Sequence, residues 1–246
     1  MAGAFELVAC EDDFLVVAKP PNLLSHPTRP DRAPTLLGWL QERFPGEFVA
    51  LVNRLDRETS GTILVARSTE TASKLGAMTM RREIGKEYLA LVAGRVEDEH
   101  GTIDAPLGRL GVSESNAIWV RQGVIAAGDP RRSAAARTEF WRVAQNDAVT
   151  LLRLRAHTGR MHQLRAHLAH LGHPVLGDKI YGPDPALYLK FIEQGWTPEH
   201  ERRLLIPRHA LHAQRLEFFW GGERREFTVP MPEDMTALAR KLGPPW

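Results

Sequence analysis

Only one cysteine, Cys10, occurs in 246 residues, so neither an intramolecular disulfide nor a zinc site built from cysteines can form. No window approaches the ~20 apolar residues that a membrane helix needs. The opening MAGAFELVACEDD lacks the basic segment and apolar run of a secretory signal. A cytoplasmic protein with no membrane partner is the expectation. Internal repeats, low-complexity tracts and Ser/Gly linkers are also missing, which speaks for a single domain over residues 1–246, or two lobes about a cleft. No Gly-rich cofactor loop is present. Neither sign of charge dominates: a formal net charge of +2 neither requires nor excludes a polyanionic partner.

What remains is an ordinary globular composition, 43% hydrophobic and 25% charged. The cations gather locally, in MRREIGK (80–86), DPRRSAAAR (129–137), RLRAHTGRMHQLR (153–165) and ERRLLIPRH (201–209). Clusters of this kind are usually solvated surface; arranged around one cleft they would be a footprint for nucleic acid.

FELVACEDDFLVVAKPP reads as two strands about an acidic turn, closed by Pro20 and Pro21. Loop follows to Pro34. Thr35 is an N-cap for a helix with Leu36, Leu37 and Leu40 on one side, and Ser68 opens another with Ala72, Leu75 and Met78. Between these helices, two strands, FVALV and TILVA, flank the charged stretch NRLDRETSG (53–61). KEYLALVAG is a strand, and residues 97–136 are loops with short strands. TEFWRVAQNDAVTLLRLRAH is a hairpin turning at Asn146-Asp147. Residues 184–206 hold two helices, Gly195 ending the first and Thr197-Pro198 opening the second. A hairpin about Gly221-Gly222 and a short helix complete the chain. Hairpin-linked strands with irregularly spaced helices predict an α+β fold on a mixed, mainly antiparallel sheet with flanking helices.

Three segments could carry chemistry. Asp56, between Arg54 and Arg57, should stay ionised beside positive charge and so could act as nucleophile or base; the plainer role is to fix the turn near Thr59 and Ser60. Tyr88 lies on the strand face opposite Leu89 and Leu91, placed to stack on a base or simply to pack. HTGRMHQLRAHLAHLGHP holds five histidines, but a helix with Leu164, Leu168 and Leu171 inward and Gly172 at its end gives no metal-pair spacing, so no metal is expected. Arg165, next to the leucine stripe, could reach inward as a bidentate partner for a carboxylate.

Together these segments resemble one family. NRLDRETSG resembles the RLDxxTSG signature of RluA-type pseudouridine synthases, KEYLALV their second motif, and TGRMHQLRAHLAHLGHPVLGDKIYG their third. EDDFLVVAKPPNLLSHPT, ARTEF and LHAQRLEF match in order. The resemblance runs from about Phe5 to about Val229. It implies the pseudouridine synthase fold with a central catalytic cleft, and isomerisation of uridine to pseudouridine in an rRNA or tRNA stem-loop by a monomer needing no cofactor.

On the matching positions, the resemblance implies Asp56 as the catalytic carboxylate, Arg165 as its partner, and Tyr88 as the residue stacked on the uracil. It also implies RNA contacts by Arg54, Arg57, Lys86, Arg160, His162 and Gln163, with Arg54 filling the space of a flipped base. Asp56 could add to the base, attack C1′ or take a proton from C2′. Two departures stand out: Asn53 replaces the family's usual His, and no S4-type RNA-binding domain precedes the catalytic one. Residues 109–136 and 184–206 fit no motif. A non-catalytic RNA-binding or ribosome-assembly protein is the alternative; a retaining glycosidase would need a second carboxylate that no motif supplies.

Overall fold

The computed structural model describes residues 5–27, 33–110, 118–129 and 131–243; parts of the predicted loops at 23–34 and 97–136 lie outside these. The chain separates into two compact units, Met1–Glu87 with His212–Met231, and Tyr88–Leu211 with Pro232–Trp246. In chain order the elements are β1 (Glu6–Cys10), β2 (Phe14–Lys19), α1 (Leu36–Arg43), β3 (Ala50–Leu51), β4 (Ser60–Ala66), α2 (Thr69–Met80) and β5 (Gly85–Ala93). There follow β6 (His100–Asp104), β7 (Leu107–Arg109), β8 (Gln122–Val124), β9 (Ser133–Ala134), β10 (Arg137–Gln145) and β11 (Val149–Ala156). The remainder is α3 (Gln163–His170), α4 (Ala186–Gln194), α5 (Pro198–Leu204), β12 (Leu211–Trp220), β13 (Glu223–Thr228) and α6 (Glu233–Leu242). The class is α+β, with mainly antiparallel pairing.

In the first unit the strand order is β1-β2-β4-β12, with β3 also paired to β4 and β13 to β12. Every pair is antiparallel except β4 with β12. Phe14, Val16, Leu64, Leu75, Met78, Leu216 and Phe218 make the core. Phe14 meets Phe218, Trp220 and Phe227 edge-on at centroid distances of 5.3, 6.1 and 6.0 Å, the geometry that aromatic quadrupoles favour. Helix α2 begins where Ser68 Oγ accepts from the Thr71 N–H, and buries Leu75 and Met78. The β12–β13 turn is Gly221-Gly222, both at positive φ, as a two-residue hairpin with the right twist demands.

FVALV forms only the two-residue β3, shorter than its pattern predicts. The Asn53 side chain takes over the pairing there: Oδ1 accepts from Leu64 N–H at 2.8 Å and Nδ2 donates to Thr62 O at 3.4 Å. Ser60 and Gly61, expected in the turn, already belong to β4. Gly61 is required at its position, because φ is +117° and a Cβ would stand 2.1 Å from the Ala213 carbonyl oxygen on β12.

In the second unit the order is β5-β11-β10-β6, beside a three-stranded sheet β8-β7-β9. The KEYLALVAG alternation breaks down beyond Tyr88. Leu89, Ala90, Leu91 and Val92 are all buried, because this part of β5 is covered on both faces. The β10–β11 turn is built by Asn146, whose Oδ1 accepts from Ala148 and Val149 N–H and whose Nδ2 donates to Leu242 and Gly243 carbonyls, holding the end of α6. Leu164 and Leu168 of α3 are buried as expected, but Leu171 is 36% exposed, since the helix has already ended there and Gly172 turns at φ +92°.

Replacing Gly61 by Ala forces a backbone clash at the β4–β12 contact, and is expected to lower stability by about 2–4 kcal/mol. Urea unfolding of the two proteins measures it.

Candidate active site

In the first unit the NRLDRETSG segment leaves the core at Asn53 and re-enters it at Ser60. Leu55 is buried, while Arg54 and Arg57 are exposed and Asp56 is half-buried between them. Asp56 starts a turn, its carbonyl accepting from the Thr59 N–H at 3.1 Å, where an aspartate is favoured.

Two buried side chains grip the backbone on either side of Asp56. Ser25 Oγ donates to the Leu55 carbonyl at 2.8 Å and accepts from the Leu55 N–H at 3.2 Å. The Lys19 ammonium, 1% exposed, donates to the carbonyls of Pro20 (2.8 Å), Leu23 (2.9 Å) and Arg57 (3.1 Å). These three carbonyl acceptors match the three N–H bonds of a lysine, as burial of an ammonium requires. Ser25 is itself held by α1, whose first amides, Leu36 and Leu37, donate to the Leu24 and Ser25 carbonyls.

The far end of the segment is equally fixed. Buried His212 donates from Nε2 to the Val229 carbonyl, so its Nδ1 accepts from Ser60 Oγ at 3.0 Å. Arg54 Nη1 donates to His26 Nε2 at 2.8 Å, and Arg57 Nε to the Asn22 carbonyl at 3.4 Å, Asn22 standing at φ 63°. Lys86, half-buried on β5, has its amine pushed down to about 8 by desolvation.

The second unit has its own polar centre. Arg165 on α3, 5% exposed, makes a bidentate pair with fully buried Asp178, Nε to Oδ2 at 2.6 Å and Nη2 to Oδ1 at 2.9 Å. Oδ1 also accepts from the Ile180 and Tyr181 amides at 2.9 and 3.0 Å. Burial alone would raise the Asp178 pKa; the Arg165 charge and these hydrogen bonds reverse that and hold it well below the usual carboxylate range. The Tyr181 ring lies 5.1 Å from the Arg165 guanidinium carbon. Its hydroxyl accepts from the Gln122 N–H at 2.8 Å and shares a 3.0 Å hydrogen bond with His162 Nδ1. Tyr88, on β5, is half-buried.

The inward bidentate arginine predicted from the helix pattern is therefore present, and the carboxylate it meets in its own unit is Asp178. Gln163 departs from its implied role as an RNA contact. It is 4% exposed, its amide nitrogen donating to Arg137 O and Thr138 Oγ1 and its oxygen accepting from Thr158 Oγ1 and Arg160 N. Packing under the α3 entry leaves its amide no free group. Arg160 is exposed, with Nε on the Ala135 carbonyl at 3.1 Å, and half-buried His162 stands at φ 55° as the residue before α3. Lys19, Ser25, Asp178 and Tyr181 were given no role by sequence reading. A lone aspartate after Gly177 in VLGDKIYG, and a lysine closing an otherwise apolar strand, are the signals available.

Residues 13–170 match the family model described as RNA pseudouridylate synthase. The ribosomal large subunit pseudouridine synthase D of Nitrosomonas europaea is 35% identical over 242 residues, covering 94% of this chain; the chain spans 64% of that protein's length. The protein of the same name from Pseudomonas aeruginosa is 34% identical over 247 residues, 96% of this chain and 71% of the other. Among solved structures, human RNA pseudouridylate synthase domain containing 1 superposes with a TM-score of 0.73 at 27% identity, covering 96% of this chain and 87% of the other.

Lys19→Met leaves three carbonyls without their donor and is expected to destabilise the protein by at least about 2 kcal/mol, with faster hydrogen exchange at the amides of 55–59. Asp178→Ala strands the Arg165 charge and should cost about 3–5 kcal/mol. Because the folded pKa of Asp178 lies below its unfolded value of about 4, its pair with Arg165 contributes fully above that pH and fades as pH falls below it. The unaltered protein should thus lose stability steeply in acid, and Asp178→Ala less steeply, in urea titrations from neutral pH to pH 3.

Proposed function

The chain belongs to the RNA pseudouridylate synthase family, and from that premise we propose that it isomerises a uridine of large-subunit ribosomal RNA to pseudouridine, with Asp56 as its catalytic carboxylate. The observation that carries this reading is the grip of Lys19 on the Arg57 carbonyl and of Ser25 on Leu55, the residues on either side of Asp56, with exposed arginines flanking the carboxylate. A turn needs no such fastening merely to reverse the chain. A carboxylate that must meet one atom of a large substrate does. The two relatives, both ribosomal large subunit pseudouridine synthases, support the choice of RNA.

In the reaction the N1–C1′ bond breaks, the uracil turns, and C5 bonds to C1′; the proton leaving C5 is balanced by one gained at N1. Nothing is oxidised and no group is transferred, so the reading calls for no cofactor. Addition of Asp56 to the base, attack on C1′ and removal of the C2′ proton all require it ionised, and the Arg54 and Arg57 charges favour that state. Tyr88 is assigned stacking on the uracil and acceptance of the C5 proton, and Arg165 the role of keeping the catalytic carboxylate charged and oriented. Asp178 is the group that holds the Arg165 guanidinium.

A uridine within a stem-loop must be flipped out, at a cost of a few kcal/mol. Arg54 is assigned to the space it leaves, steadied by His26. Phosphate contacts by Arg57, Lys86, Arg160 and His162 offset that cost and make binding salt-sensitive. In this reading the protein acts as a cytoplasmic monomer.

Pseudouridine mapping of ribosomal and transfer RNA from cells with the intact gene, a deletion and Asp56→Ala tests the proposal. One or a few large-subunit sites should vanish in both altered strains. A deletion that loses sites which Asp56→Ala retains would refute the catalytic assignment. No change in either strain would point to non-catalytic RNA binding.

A further inference from the structure

Residues 107–136 belong to none of the three motifs, yet their described part is cationic. It holds Arg109, Arg121, Arg131 and Arg132 but one carboxylate, Asp129, which is engaged by Arg131 Nε and N–H at 2.9 Å each. Two features of the β7–β8 hairpin have no structural explanation. Trp119 is 58% exposed, with the exposed Arg109 guanidinium carbon 4.7 Å from its ring centroid. Arg121 is half-buried, and its enclosed Nε–H meets no acceptor among the described residues. An enclosed guanidinium N–H without an acceptor is unfavourable, and an arriving anion would supply one to this guanidinium.

The hairpin is firmly mounted. Leu107 and Ile118 pack with Ala136, Ala166, Ile180 and Tyr181, and the Gln122 N–H adjoining Arg121 donates to the Tyr181 hydroxyl that His162 also bonds. Strand β9, paired to β7, continues into the Ala135 carbonyl that holds Arg160. The exposed indole and the cations are therefore tied to the same side chains that surround Arg165.

We propose that the β7–β8 hairpin is an RNA-docking surface, on which Trp119 stacks an unpaired base of the substrate while Arg109 and Arg121 hold the neighbouring phosphates. This rests on the proposed RNA substrate and extends it to residues outside the motifs. An indole beside a planar cation suits a base with its phosphate, since a base offers a flat π-face and a phosphate several acceptors. An acidic peptide offers only the charge.

Binding of an unmodified large-subunit rRNA transcript across a salt series tests the surface, with Trp119→Ala, Arg109→Ala and Arg121→Met, the last keeping the aliphatic stem. Arg202→Ala on α5 serves as an equal charge change elsewhere. Trp119→Ala should weaken binding about 5- to 150-fold with the salt slope unchanged. Each arginine variant should weaken binding and reduce the slope by about 0.7. The proposal is overturned if the three variants bind like the unaltered protein, or no worse than Arg202→Ala. It is also overturned if they lose binding of polyglutamate while RNA binding is intact, which would assign the surface to an acidic protein. Pseudouridine formation by Asp56→Ala would defeat the catalytic assignment alone, whereas failure of the unaltered protein to bind RNA would overturn both.

Discussion

A buried ammonium with three carbonyl acceptors is the constraint around which the first unit is arranged. Lys19 ends β2, and the chain must turn away there because Pro20 and Pro21 cannot extend the ladder. Its charge cannot stay in a near-dry interior unless oxygen surrounds it. The Pro20 and Leu23 carbonyls curl the following loop back over it, and the Arg57 carbonyl draws in the segment after Asp56. Once that loop is folded, Ser25 reaches Leu55 from the other side. The backbone around Asp56 is thus over-determined, while its neighbours Arg54 and Arg57 remain at the surface.

The second unit solves a related problem with opposite charges. Arg165 lies on the buried side of α3 and would be intolerable there alone; Asp178 meets it through two hydrogen bonds and receives two backbone N–H groups in addition. Such a pair adds little net stability, because desolvating both ions offsets most of their attraction. What it provides is a fixed direction for the guanidinium, reinforced by the Tyr181 ring beside it. Tyr181 then passes this order outward through its hydroxyl to Gln122 and His162.

Both arrangements suit the proposed isomerisation, whose atoms would all remain in the RNA. In that reading no cofactor needs positioning, and the protein's contribution reduces to holding a few groups still and offsetting the energy of extruding a base. That division explains the distribution of charge. Lys19 and Arg165 are buried and hydrogen-bonded within the protein, whereas Arg54, Arg57, Arg109 and Arg160 stand exposed, as cations must if they are to meet phosphate.

Local signals determined much of this protein from sequence alone. The N-caps Thr35 and Ser68, the Gly221-Gly222 and Asn146 turns, the α+β class and the family were legible because each depends on residues close in the chain or on a motif. The inward arginine of α3 was legible for the same reason. Tertiary structure decided what the periodic pattern could not express. It covered both faces of β5, cut FVALV to two residues by giving its pairing to the Asn53 side chain, and drew Gln163 inward. It also joined Lys19 to Arg57, Ser25 to Leu55 and Arg165 to Asp178. Hydrogen bonds across such separations leave no periodicity behind, because a buried polar group selects its partner by distance in space, and only the folded chain sets that distance.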